Sequence, residues 1–296
     1  MAQRQVIREE LEALNSIKNL AESYEEIAVI RMQKIKESVL KTRSFLMSIS
    51  DVYVDLKASY NKEIKDLLER RKKGDKHILP ILQKNGKSLL VYLSSNGKLY
   101  GSVTMKTFRL FMDDLRKHPD PNSDLLVIGS AGKEMLSGAE INKPFDYFEM
   151  PDAKVELDHI KQLMKKFLQY EKVSVYYGKF GNVVSQSAIA TSITGEDIFE
   201  TESFTPTPRE DRFIFEPTLE KILHFFETQI MSNLFSQTLL ENQLARHASR
   251  VNAMEEALIH IEEESKSLHR QTTRMKHLVQ NKKQLETIGG LALWEG

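Results

Sequence analysis

The stretch Gly129-Ser130-Ala131-Gly132-Lys133-Glu134 comes nearest to phosphate chemistry. It follows an apolar run, as a phosphate-binding loop must, because backbone amides at a helix N-terminus cradle anions. Its spacing is two residues short, and Glu134 stands where a Ser or Thr would ligate magnesium. A plain strand-to-helix turn is the better reading. Gly97-Lys98-Leu99-Tyr100-Gly101 is no dinucleotide fingerprint either. Eight histidines are scattered; His224 with Glu227 share a possible helix face, and His269 and His277 lie two turns apart. No HExxH pattern or His-rich tract accompanies them. His247 falls on an apolar stripe and reads as a core histidine or a partner contact. The absence of cysteine excludes disulfides, thiolate metal sites and a cysteine nucleophile. The expectation is therefore no catalytic residue, no cofactor and no metal.

Charge points the same way. The 296 residues carry 42 basic and 42 acidic side chains, so no overall field draws nucleic acid or anionic lipid. The basic run Arg70-Arg71-Lys72-Lys73 reads as the cationic end of a helix, where it complements the macrodipole. No apolar run approaches the ~20 residues that span a bilayer. The N-terminus, MAQRQVIREELEAL, is neither a secretory signal nor a transit peptide. A whole chain made in a cytoplasm is expected.

The elements that must position any function are written in the breakers. All 13 glycines lie between Gly74 and Gly195 or in the last eight residues, and all 8 prolines between Pro80 and Pro217. Residues 1–73 and 218–288 contain neither. Gly costs a helix interior about 1 kcal/mol and Pro about 3, so two very long helices flanking a middle domain are expected. An alternating four-three step picks out Ile7, Leu11, Leu14, Lys18, Ala21, Glu25, Ala28, Met32, Ile35, Val39, Thr42, Leu46, Ile49 and Tyr53, continuing through Leu56, Tyr60, Glu63 and Leu67. The C-terminal stripe is Leu240, Leu244, His247, Val251, Met254, Leu258, Ile261, Ser265, Leu268, Thr272, Met275 and Val279. A sustained 3.5-residue repeat specifies a left-handed coiled coil, with rods of roughly 90 and 105 Å. One chain with a helix at each end and a globule between favours antiparallel pairing. The acidic block Glu9 to Glu26 and the basic block Lys266 to Lys283 would meet if both ends finished level. Exposed pairs contribute under ~1 kcal/mol each and cannot dictate that register.

Residues 74–215 read as α/β. Strands are expected at Lys87–Ser95, Asp124–Ile128, Lys172–Tyr177 and Val183–Ile193, with helices at Thr104–Arg116 and Ala153–Tyr170 and a turn or short helix at Gly132–Leu136. Strands separated by helices make a mainly parallel sheet. Glu200 to Arg212 is a polar connector, and the last helix starts near Glu216-Pro217. The expected divisions are a helix over 1–73, the inserted α/β domain over 74–215, a second helix over 216–288 and an apolar tail over 289–296.

Four motifs then suggest a family. The helix Leu239-Leu240-Glu241-Asn242-Gln243-Leu244-Ala245-Arg246-His247-Ala248-Ser249-Arg250-Val251-Asn252-Ala253-Met254 resembles the signature helix of the gamma subunit of F-type ATP synthase. Ser16-Ile17-Lys18-Asn19, Phe215-Glu216-Pro217 and the ending Glu286-Thr287-Ile288-Gly289-Gly290-Leu291-Ala292-Leu293 resemble further family motifs. The resemblance implies a rotor shaft made of an antiparallel two-helix coiled coil with an α/β insertion, its C-terminal helix overshooting the N-terminal one by several turns. It implies torque transmission between a proton-driven membrane ring and catalytic subunits during ATP synthesis. The implied partners are the alpha and beta subunits of the catalytic head, an epsilon-type accessory subunit and the membrane c-type ring. The implied location is the cytoplasmic side of a bacterial inner membrane, peripherally. The subunit-contact positions it implies are Arg250, Gln284, Glu286, Ile17, Lys18 and Ile288, and Leu291 to Trp294 would turn in an apolar bearing. The chain departs from the family where Ser-Glu becomes Ala245-Arg246, in the acid-rich Leu20 to Ile30, and at Ser95 to Ser102. The alternative from the residues alone is a non-catalytic coiled-coil tether with an α/β recognition head. An α/β enzyme on a helical stalk would need a polar constellation within 87–195, and none stands out.

Overall fold

The computed structural model describes residues 2–59, 84–139, 141, 143–152, 156–194 and 218–292. Helix α1 is Ala2–Ser59; then come β1 (Ser88–Leu93), α2 (Ser102–Lys117), β2 (Ser123–Ile128), α3 (Ser130–Ser137), β3 (Phe145–Phe148), α4 (Leu157–Phe167), β4 (Lys172–Phe180), β5 (Gln186–Ser192) and α5 (Leu219–Ala292). The chain divides into two compact units, Met1–Val29 with Arg250–Gly296, and Ile30–Ser249. The run Arg70 to Lys73, the stripe beyond Leu56, the connector Glu200 to Arg212, the motif at Glu216-Pro217, the divisions at 73/74 and 215/216, and Leu293-Trp294 lie outside the described residues.

The first unit is an antiparallel helix pair. Leu14 and Ile17 share a groove with Ile261, Glu264 and Leu268. Glu9 and Glu12 share another with His269, Thr272 and Lys276. Tyr24 lies beneath the Arg250 guanidinium. Facing residues thus have numbers adding to about 278. The level-ended register that the charge blocks would make is not formed, because solvated charges yield to the apolar seam. Ile7, Ala21, Ala28 and Leu268 are buried on that seam, and Leu11, Leu14, Ile261 and Met275 half-buried. Beyond Lys276 no helix among the described residues covers α5: Leu278, Val279, Leu285 and Ile288 are 56–70% exposed. Glycines 289 and 290 do not end the helix, which reaches Ala292.

The second unit carries the sheet. Its order is β3-β2-β1-β4-β5, parallel except for the β4–β5 hairpin. Alternation along each strand sorts side chains to two faces. Leu89, Val91, Leu126, Ile128, Val173 and Val175 meet α4 and the Met231, Phe235 and Leu239 ridge of α5. Tyr92, Leu125, Val127 and Tyr176 meet Phe111 and Met112 of α2 and Leu136 of α3. Strand β3 was not expected: its four residues, Phe-Asp-Tyr-Phe, sit at a sheet edge and are too short for a periodic signal. Within this unit α1 also meets α5, with Tyr53 against Phe226 and Arg43 3.7 Å from Glu241.

Candidate functional site

In α/β sheets, ligands settle beyond the carboxyl ends of the strands, where neighbouring connections diverge to opposite sides. Here that point lies between β1 and β4. It is filled by the protein's own helix. Asn242 of α5 accepts from Gly178 N at 3.0 Å through Oδ1, and its amide nitrogen donates to Leu93 O at 3.4 Å. Tyr177 donates to Glu241 at 3.4 Å, and Gln237 donates to the other oxygen of that carboxylate at 3.0 Å. The space left among Leu93, Met150, Asp152, Asn242 and Arg246 is about 10 Å³, enough for one water at most.

The loop resembling a phosphate cradle is closed in the same way. Ser130 N donates to Asn96 Oδ1 and Ala131 N to Ser95 O, both at 2.9 Å, so α3 spends its first amides on the β1 loop. Gly129 sits at φ 101, and a Cβ there would stand 2.8 Å from the Ser95 backbone, so both the conformation and the close approach require glycine. Lys133 lies over the Tyr147 ring, and Glu134 pairs with Lys98.

Residues 241–250 are all buried, although the segment reads Glu-Asn-Gln-Leu-Ala-Arg-His-Ala-Ser-Arg. One carboxylate organises much of it. Asp152 Oδ1 takes the Arg246 guanidinium at 2.7 Å, and its Oδ2 accepts from Asn96 N at 2.9 Å and Gly97 N at 2.8 Å. Gln243 donates to Asp152 O, and Arg246 stacks on Tyr100, whose ring also meets His247 edge-on. Burial alone would raise the Asp152 pKa; the Arg246 charge and the two amides outweigh it and hold the group below the ordinary carboxylate value. A depressed native pKa stabilises the fold above the unfolded value, and that contribution is lost as pH falls through the native one. Acid titration of unfolding free energy, followed by circular dichroism, is expected to fall less steeply below pH ~4 for Asp152→Asn than for the parent chain. Equal slopes would contradict the pairing.

The contact positions implied by the sequence fall into two groups. Ile17 and Lys18 lie on α1 along the rim of its groove with α5, and Gln284, Glu286 and Ile288 near the C-terminal end of α5; all five are exposed. Glu286 is 4.0 Å from Lys282. Arg250 differs: it is 6% exposed, with its guanidinium 5.3 Å from the Tyr24 ring centre. Sequence reasoning missed Asp152, Asn242, Ser249 and Tyr100. One signal was available: Asn, His and Ser clustered in a helix interior are weaker helix formers and imply contacts that offset the cost. Among the described residues no cluster of acids and histidines could hold a metal.

These features define a chain with two long terminal helices and an α/β insertion whose strand-end crevice is filled by the C-terminal helix. The chain matches the family described as ATP synthase over residues 3–282. The ATP synthase gamma chain of Cytophaga hutchinsonii is 20% identical over 96% of both chains. That of Chloroherpeton thalassium is 22% identical, covering 98% of this chain and 97% of its own. Among solved structures, a chain in the rotor of the Euglena gracilis mitochondrial ATP synthase aligns with a TM-score of 0.62 at 14% identity, covering 94% of this chain and 99% of its own. The chain belongs to the ATP synthase gamma family and is the gamma subunit of an F-type central stalk. That membership replaces the tether reading.

Proposed function

We propose that this subunit transmits torque between an ion-driven membrane ring and the alpha and beta subunits of a catalytic head, with an epsilon-type subunit beside the α/β domain. A shaft whose flanks differ offers each surrounding catalytic subunit a different contact free energy, so turning it changes which subunit is open. The observation that carries this reading is the exposed end of α5. Leu278, Val279, Leu285 and Ile288 expose apolar surface that a partner must cover. Ile17, Lys18, Gln284, Glu286 and Ile288 are the proposed contacts, with Arg250, buried beside Tyr24 in the chain alone, turning from that ring to grip a catalytic-subunit loop. Residues 291–294 form the proposed bearing. The chain works peripherally, on the cytoplasmic face of a bacterial inner membrane.

Purification at low stringency is expected to bring down a ring of nucleotide-binding subunits; a stable isolated homodimer would contradict the proposal. In the assembled complex, Arg250→Ala is expected to lower ATP synthesis and hydrolysis together by roughly tenfold, the loss of one charged hydrogen bond. Unchanged rates would remove Arg250 from the contact set.

A further inference from the structure

Apolar contact resists separation but is non-directional, so it resists sliding poorly. A sheet that must turn with a helix needs directional bonds placed away from the helix axis. The Asp152 carboxylate supplies them at one point: it joins the loop after β1, the loop after β3 and the α5 guanidinium. Tyr100 closes the other side of that guanidinium, 4.8 Å away. Arg246 is buried with its guanidinium held between Asp152 and Tyr100, so its charge is answered inside the fold. Asn242 makes the second attachment, on β4.

We propose that the Arg246–Asp152 pair is the fastening through which the α/β domain and helix α5 turn as one body, which makes Arg246 a positioning residue for coupling. The inference rests on the torque-transmitting reading above. Removing the charge leaves the sheet attached by apolar contact and by the hydrogen bonds at Asn242, Glu241, Gln243 and Ser249, without the ion pair that resists slip under load. Catalysis in the head then continues while ion movement no longer follows it.

The test uses the whole ATP synthase reconstituted in vesicles, with ATP hydrolysis and ATP-driven proton pumping measured on the same preparation. Arg246→Met is expected to hydrolyse ATP near the parent rate, while pumping falls by roughly an order of magnitude. The cysteine-free chain permits a rescue. A Cβ at Gly178 would stand 3.4 Å from that of Ala245, just under the ~3.5–4.5 Å disulfide range and within reach of it by a small shift. Val103→Ala removes the methyl 2.8 Å from the new Cβ. In the background V103A/G178C/A245C, oxidation is expected to return pumping to the Arg246→Met enzyme, and reduction to abolish it again. A purely structural role for Arg246 would show no such redox dependence.

Pumping by Arg246→Met equal to the parent overturns the inference. So does pumping that stays lost with the disulfide closed on a non-reducing gel. A cross-linked parent with Arg246 intact that cannot pump also overturns it, since a sheet locked to the helix is the state required to be active. If Arg246→Met does not assemble, Asp152→Asn, which conserves volume, takes its place with the same readouts. Failure of the unaltered chain to join nucleotide-binding subunits and pump would instead defeat the functional reading itself.

Discussion

Gly101→Ala is expected to destabilise the α/β unit by roughly 3–5 kcal/mol, the sum of a backbone and a packing cost. Gly101 holds φ 64 and ψ −154, a region essentially closed to residues with a Cβ. A Cβ there would also stand 2.4 Å from the backbone oxygen of Ser249, on a buried helix that cannot retreat. The close approach has a purpose. Ser249 Oγ accepts from Val103 N at 3.3 Å, so a side chain of α5 caps the N-terminus of α2. Thermal melting by circular dichroism should show the α/β transition lowered by roughly 10 °C. Gly86→Ala is the control: Gly86 also has positive φ, at 69°, but its Cβ would meet nothing within 4 Å. Equal losses from the two substitutions would show that the Ser249 contact carries none of the cost.

Asn242→Leu is the second large effect. The side chains have similar volume, so little packing is lost. What changes is that Gly178 N and Leu93 O lose partners in a buried crevice. Each unsatisfied group costs about 1–3 kcal/mol, giving roughly 2–5 kcal/mol together. Leu93 O falls at the low end, because its 3.4 Å bond is already long. Denaturant unfolding should report this as a lower midpoint with an unchanged slope. A change under ~0.5 kcal/mol would mean that water replaces the amide at both groups.

These two positions show where reading the chain succeeds and where it stops. The stripe from Ile7 to Tyr53 was legible because periodicity is local: every position on it except Lys18 is buried or half-buried. Lys18 stays exposed because its ammonium remains in water and lies near Glu262. Strand β1 and helix α2 were legible from apolar runs and Asn-Gly punctuation, each within two residues of its observed bounds. Helix α4 begins at Leu157 rather than Ala153, and β4 extends past Tyr177 to Phe180, because its antiparallel pairing with β5 runs that far.

Gly101 was visible only as a glycine after an Asn-Gly turn, and Asn242 only as a polar residue in a helix. Their partners lie far away in the chain: Val103 and Ser249 are 146 positions apart, Asp152 and Arg246 94. No spacing rule links such pairs, since each side chain is ordinary until the other element arrives. The amino-acid sequence by itself determined the two unbroken helices, their seam and the presence of an α/β insertion, because absent breakers and a 3.5-residue repeat act within each segment. Only the tertiary structure decided that the insertion's ligand crevice is occupied by α5 and that Arg246 turns inward to Asp152. Those outcomes depend on burying polar groups against partners from distant elements, and a buried polar group is tolerated only where such a partner is met.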